Sequence, residues 1–507
     1  MKNFKCWFLF WSLECLLSLA LVAASERAVN TSYAELHVMD AETNRGVPLV
    51  ELETTNHLRF VTDNAGRVAF QEPGLMGREV YFSLRSHGYE LAKDGFGFAG
   101  VKVVPCAGEV AEIKITRKII AERLCRLTGE GLYRDSLLLG HKSPLAESPN
   151  PGRVAGQDSV QATIYQRKVF WLWGDTSSLE YPLGLFRVAG ATTSIPAADD
   201  PASNPEHGIP FNYFVNEKTR FTRAMMPLAE RPEGIVWIFA IFTVPDDEGN
   251  ERLVGHYSRR KGLDEAYEHG IAIFDDEKQI FTVAKQLPLT EKWRMPAGHP
   301  IAWEDEGKKW LLFGSPNPNV RVPATLSAVL DPAQYEALAD VGEEPRRQWQ
   351  KKLPPVDSKT EHELLRTGKL TVENARFCPV DAANAKQRIV LHNGSVRWNR
   401  HREAWVLIAG QLEGTSSFLG EVWYAEAQHP TGPFRKAVKV VSHHKQSFYN
   451  VCHHEFLDRD GGRTIHFEGT YTNEFSGSLE KTSRYNYNQI LYRLDLDDAR
   501  LRAAHVN

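Results

Sequence analysis

The chain has 507 residues, 42% of them hydrophobic and 24% charged, with a formal net charge of −4. This length exceeds what one compact core accommodates, so two or more domains are expected, and the composition excludes both a wholly disordered chain and a membrane bundle. A mildly acidic balance lacks the basic face that nucleic acid demands, so no nucleic-acid partner is expected.

Residues 1–25, MKNFKCWFLFWSLECLLSLALVAAS, place Lys2 and Lys5 ahead of an apolar run that closes on Ala23, Ala24 and Ser25. That is the layout of a secretory signal peptide, with Glu14 as an unusual interruption. It implies a secreted or periplasmic chain with no stable membrane insertion once the segment is removed. Cys106, Cys125, Cys378 and Cys452 then remain. No C-x-x-C pair occurs, so no cysteine zinc site is expected, and an even count leaves disulfides and buried thiols both open.

Residues 26–118 alternate apolar and polar positions through AELHVMD, PLVELET, RFVTD, GRVAF, VYFSL and AEIKITR, with Asp63-Asn64-Ala65-Gly66 as a hairpin turn. Short strands without helices predict a small β-sandwich. Through VMDAETNRGVPLVELET, FVTDNAGRVAF and SHGYE the segment resembles carboxypeptidase regulatory-like (transthyretin-like) modules. The resemblance implies a supporting role, and no chemistry is assigned there. Residues 119–149 read as a linker.

From 150 to 495 five apolar strands recur, each ending near a small residue: VFWLWG, IVWIFA, KWLLFG, AWVLIA and TIHFEG. Their spacing exceeds that of short repeats and predicts a five-bladed β-propeller of four-stranded blades, making the whole chain all-β. DPAQYEALADV and EHELLRTGKL are predicted as helices inserted between the third and fourth blades. Asp158, His299, Asn393 and His453 stand 14 or 15 residues before Trp173, Phe313, Ile408 and Phe467 respectively. The four are therefore expected to open equivalent inner strands at one mouth of the channel, as ligand-binding groups or, more plainly, as strand caps. The second blade has no clear equivalent; its place falls near Arg223 to Met225.

GQDSVQATIYQRKVFWLWGDT at 156–176 and GEVWYAEAQHPTGPF at 420–434 resemble segments of five-bladed propeller glycosidases, glycoside hydrolase families 32 and 43 and uncharacterised relatives. The resemblance implies a carbohydrate substrate and Asp158 as base or nucleophile. Hydrolysis also requires a carboxyl group that protonates the leaving oxygen. Glu468 is the first candidate, because Gly174, Ala240, Gly314 and Ala409 fill its place in the other strands; Glu421 is the second, and Asp175 a third that equally suits a hairpin. His299, Asn393, His453, Asp175, Arg223 and Arg321 are expected to contact substrate, the arginines meeting an acidic sugar. The histidines 299, 392, 453 and 454 suit hydroxyl recognition, tuning of an acid or metal ligation. No H-E-x-x-H motif occurs, and no metal or other cofactor is assigned. Adjacent His453 and His454 are expected on opposite faces of a strand. The leading expectation is an exported glycoside hydrolase. A polysaccharide lyase working through histidine and tyrosine, and a carbohydrate-binding propeller without turnover, are the alternatives.

Overall fold

The computed structural model describes residues 32–145, 152–181, 184–197, 203–341 and 346–506, so the expected signal segment lies outside the described residues. The fold is all-β. The N-terminal region forms two four-stranded sheets. One orders Arg67–Phe70, Ala34–Asp40, Val110–Arg117 and Tyr89–Glu90; the other orders Arg59–Val61, Val50–Thr54, Val80–Ser86 and Gly100–Val103. Period-two burial along Val50–Thr54 and Val80–Ser86 sends Leu52, Phe82 and Leu84 into a core with Leu36, Val38 and Phe70. The turn at 63–66 depends on its glycine: Gly66 has φ 73°, and a Cβ there would meet the Val38 carbonyl oxygen at 2.4 Å.

Six further sheets follow, a two-stranded ladder of Val154–Gln157 with Thr176–Ser178 and five larger ones here numbered I to V. Sheet I orders Gln161–Tyr165, Lys168–Trp173, Ala189–Ser194 and Asn212–Tyr213, and sheet II orders Ile235–Pro245, Glu251–Arg260, Ala266–Asp275 and Ile280–Leu287. Sheet III runs Ile301–Asp305, Lys308–Phe313, Val320–Pro323, Glu336–Val341 and Arg346–Gln350. Sheet IV runs Leu391–Asn399, Ala404–Gln411, Glu421–Ala427 and Lys436–Ser442, extended by Val380–Asp381 and Asn384–Arg388. Sheet V orders Ser447–His453, Thr464–Thr472, Asn488–Asp495 and Glu122–Arg126.

Buried side chains join each sheet to the next. Phe170 and Leu172 of sheet I pack with Ile238 and Tyr257 of sheet II. Phe242 and Val254 of II meet Phe313 and Val322 of III. Trp310 and Leu312 of III meet the partly buried Trp405 of IV, and Ile408 and Tyr424 of IV meet Phe448 and Phe467 of V. Cys452 and Leu491 of V then pack on Trp171 and Trp173 of I, so the sequence of interfaces closes on itself. Each such side chain, fully buried, contributes about 1.5–3 kcal/mol.

Three sequence expectations change. EALADV is a strand paired with Arg346–Gln350, preceded only by a short 3-10 turn, whereas the second expected helix is present as Ser358–Arg366. The region 119–149 supplies Glu122–Arg126, which completes sheet V beside Asn488–Asp495. IVWIFA belongs to the first strand of sheet II, not the second as in the other sheets, so no hairpin precedes it and Arg223 does not start an inner strand. All four described cysteines are free thiols.

The two N-terminal sheets are bonded directly to sheet V and the loop that leads into its Asn488–Asp495 strand. Arg123 is fully buried; its guanidinium donates to the carbonyls of Pro48 and His87 at 3.0 and 2.8 Å and to Ser86 Oγ at 2.6 Å. Asn64 exchanges two hydrogen bonds with the backbone of Arg126, at 2.8 and 2.9 Å, and Tyr485 donates its hydroxyl to the Thr62 carbonyl at 2.7 Å.

Candidate functional site

The first strand of every sheet runs from one cavity to another. The starts of these strands, or the residues just before them, line a cavity of about 580 Å³ through Asp158, Trp237, His299, Asn393 and Tyr449. Residues further along them line a second cavity of about 290 Å³ through Thr163, Phe242, Ala302, Trp398 and His453. Five strands sharing one direction around a common space bring side chains from distant parts of the sequence to one mouth.

A belt of hydrogen bonds crosses four sheets at the larger cavity. Ser315 donates to Asn393 Oδ1 at 2.9 Å, Asn393 to Asn450 Oδ1, and Asn450 to Ser159 Oγ. Ser159 and Asn450 both hold left-handed backbone, with φ 58° and 51°. For residues other than glycine this is a sparsely populated conformation, and such residues gather at functional sites.

Asp158 sits at the centre of this arrangement. Tyr449 donates its hydroxyl to Asp158 Oδ2 at 2.9 Å, while Oδ1 is sealed from solvent without a hydrogen-bond partner. Burial, helped by the charge of Asp175, pushes its carboxyl up to about 7 from an ordinary 3.8. Asp175 accepts from Trp237 Nε1 at 2.8 Å, and burial raises it too, with Glu474 adding repulsion. Glu474 also lines the cavity, and its carboxylate carries no hydrogen bond or ion pair among the described residues. Trp237, Phe239, Phe418 and Phe475 form apolar walls, and no lysine or arginine lines the cavity among the described residues.

Gly174 has a specific task here. A Cβ at this position would lie 2.4 Å from Asp158 Oδ1. Gly174→Ala is therefore expected to push the carboxyl out of place, lowering turnover about 10²-fold while the melting temperature changes little. Steady-state kinetics beside a thermal melt checks this.

The structure separates the other sequence candidates from this site. Pairing places His453 opposite Phe467, level with Ser395 opposite Ile408, and therefore beyond the mouth where Asn393 lies. His453 and His454 both border the second cavity, with His453 Nε2 on Asp458 Oδ1 at 2.9 Å. Tyr449 and Asn450 occupy the place in sheet V that the sequence count gave to His453. Glu468 lines neither cavity; it is fully buried on the face of sheet V shared with Cys452 and Leu491. Glu421 is held by Lys439 at 2.8 Å and Thr415 at 2.7 Å, contacts that lower its carboxyl against the effect of burial, so it is no reservoir for a proton. Arg321 pairs with Glu336 at 2.8 Å and lies between Trp310 and Trp349, and Arg223 donates to the Gln279 carbonyl at 3.0 Å over Phe214. Neither arginine reaches the cavity, so neither meets a ligand there.

Glu474, Trp237, Asn450 and Tyr487 are among the lining residues that sequence reasoning missed. Glu474 lies two residues beyond Thr464–Thr472, in YTNEFSG, so following that strand past its end would have found it.

Buried Glu468 leaves a thermodynamic signature. Its carboxyl is pushed up to about 8 from 4.5, and His454 beside it is pushed down to about 3 from 6.5, both by burial. The folded chain thus keeps a proton on Glu468 that the unfolded chain releases. That contribution to stability is complete below pH 4.5 and is lost as pH rises toward 8. His454 acts oppositely only below about 6.5, which leaves Glu468 as the member of the pair acting from pH 6.5 to 8. Glu468→Gln cannot ionise. The wild type should lose up to a few kcal/mol relative to it across that window, as urea unfolding at several pH values would show.

No protein-family model matches the chain, and no curated protein matches it. Among solved structures, a putative exo-beta-1,3-galactanase from Bifidobacterium bifidum is 12% identical with a TM-score of 0.35, covering 74% of this chain and 94% of its own. A GH43_1 enzyme from Xanthomonas citri complexed with xylotriose is 10% identical with a TM-score of 0.33, over 68% and 87% of the two chains. An exo-1,5-alpha-L-arabinanase from a bovine ruminal metagenomic library is 11% identical with a TM-score of 0.34, over 67% and 93%.

Proposed function

We propose that sheets I to V are the blades of a five-bladed β-propeller and that the chain is an exported glycoside hydrolase acting at the larger cavity. The observation that carries this reading is the convergence of Asp158, Asp175 and Glu474 on one aromatic- and amide-lined cavity. Sugar rings stack their C–H faces on aromatic walls, and side-chain amides bind hydroxyls.

Glycosidic bond cleavage uses one carboxyl group to protonate the leaving oxygen and a second to act as base or nucleophile. Asp158, raised to about 7 by burial, suits the proton donor, a role opposite to the one its resemblance implied. Glu474, with its carboxylate free of protein partners, suits the second. Asp175 then keeps Asp158 protonated by its charge. A lyase that neutralises its uronate with an arginine or lysine side chain is disfavoured, because neither lines the cavity among the described residues.

The test is a panel of neutral and acidic oligosaccharides and activated aryl glycosides, followed by release of reducing ends. Hydrolysis of a neutral member supports the reading. An unsaturated, ultraviolet-absorbing product would replace it with elimination, and tight glycan binding without any product would replace it with a binding role.

A further inference from the structure

A line of buried polar side chains joins the two cavities. Cys452 Sγ lies 3.3 Å from His299 Nδ1 and 3.7 Å from His454 Nδ1, and His454 Nε2 lies 2.7 Å from Glu468 Oε1. The exposures of His299, Cys452, His454 and Glu468 are 8%, 1%, 2% and 0%. His299 lines the cavity that holds Asp158, and His454 lines the second cavity. Glu468 Oε2 is buried without a partner. Polar groups cost stability when buried unpaired, and the face around them is otherwise built from Leu457, Leu491 and Trp171. Apolar residues would fill this space at lower cost, so packing does not account for the line.

We propose that Glu468, His454, Cys452 and His299 form a proton relay that recharges the Asp158 cavity from the opposite end of the ring; this rests on the hydrolase reading above. The hop balances. Glu468 gives its carboxyl proton to His454 Nε2, His454 gives its Nδ1 proton to Cys452 Sγ, and the departing thiol proton goes to His299 Nδ1. His299 then releases its Nε2 proton into the cavity. One proton leaves Glu468 and one enters the cavity, and both imidazoles exchange tautomers. The reset balances as well: a proton from the second cavity, which His454 lines, binds His454 Nδ1 as the Nε2 proton returns to Glu468, restoring the neutral imidazole and the carboxyl group. The thiol has a competing acceptor in the His453 carbonyl at 3.7 Å, so its proton can turn away between hops.

The charged and titratable groups facing the line are Arg397 toward His299 and Cys452, His453, Glu455 and Asp458 toward His454, and Cys125 and Tyr213 toward Glu468. Burial, aided by the charge of Arg397, disfavours a positive charge on either imidazole, which keeps both neutral and able to pass a proton on. The four are positioning residues, acting on the reaction through Asp158.

The experiment compares Cys452→Ser, which keeps a hydroxyl proton in the line, with Cys452→Val, which removes it; Cys452→Ala replaces the latter if it does not fold. With an unactivated glycoside, Cys452→Val should lower kcat about 10-fold or more without changing KM, and imidazole buffer should restore it, whereas Cys452→Ser should stay within about 2-fold of wild type. Infrared spectroscopy supplies an arm independent of turnover. A protonated Glu468 carbonyl band, assigned by its loss in Glu468→Gln, should shift in Cys452→Val and hold in Cys452→Ser. An unmoved band overturns the relay whether or not any glycan is hydrolysed. Equal loss of kcat in both cysteine variants also overturns it, leaving a packing role. Absence of turnover in the wild type, with the band shift present, would fail the hydrolase reading and leave the coupled line standing.

Discussion

Asp158→Asn should lower kcat on natural glycosides by about 10²–10⁴-fold while leaving the fold and glycan binding in place. Asparagine keeps the shape and can still accept from the Tyr449 hydroxyl, which reaches Asp158 Oδ2 at 2.9 Å, but it has no proton to give. An aryl glycoside whose leaving group departs unprotonated should therefore restore much of the rate in Asp158→Asn and little of it in Glu474→Gln. The substitution should also stabilise the protein in alkaline buffer. Because the folded carboxyl titrates near 7 against 3.8 when free, wild type loses stability as pH climbs through that interval, and asparagine does not. Lower activity with equal or higher stability is the pattern of a residue kept for chemistry at a cost to the fold. Undiminished activity in Asp158→Asn would remove the proposed mechanism.

Arg123→Leu should destabilise the chain by about 3–5 kcal/mol. The guanidinium is completely buried and joins the two halves of the molecule through main-chain carbonyls of Pro48 and His87 and the hydroxyl of Ser86. Leucine fills part of the space but leaves those acceptors dry and unpaired. Denaturant unfolding should show one transition at lower midpoint; two separated transitions would mean that the halves fold independently. On the same argument, removal of residues 32–118 should yield an insoluble remainder. It would uncover the contacts that Leu49 makes in the core of sheets IV and V, and the hydroxyl of Tyr485 would lose the Thr62 carbonyl. A soluble, active remainder would show the two N-terminal sheets to be dispensable.

What could be read from the sequence was local. The strands of the N-terminal segment announce themselves by alternation, and Asp158 stands out as a carboxylate just ahead of an apolar inner strand. The failures came from pairing, which the sequence does not display. Counting back from Phe467 gives His453 the standing of Asn393, but the hairpin of sheet V is longer than that of sheet IV, so His453 pairs with Phe467 as Ser395 pairs with Ile408 and lies deeper along the axis. IVWIFA has the same apolar signature as its counterparts, and only its partner Glu251–Arg260 reveals that it leads its sheet. EALADV has helix-forming composition, yet its backbone finds partners in Arg346–Gln350. The Asp63-Asn64 turn was legible as a turn; that Asn64 clasps Arg126, and that Asp63 accepts from Ser136 at 2.7 Å, was not.

The pairing of Glu122–Arg126 with Asn488–Asp495 sets an order for synthesis. The early strand leaves the ribosome long before its one ladder partner among the described residues exists, so sheet V stays open-edged until almost the whole chain has been made. The contacts that shut the cycle, between sheets V and I, form last and at large sequence separation, which makes closure the slow step of folding. A nascent chain stopped before residue 488 would hold the N-terminal sheets, sheets I to IV and an unguarded strand edge, the kind of species that chaperones retain and that joins its neighbours by strand exchange.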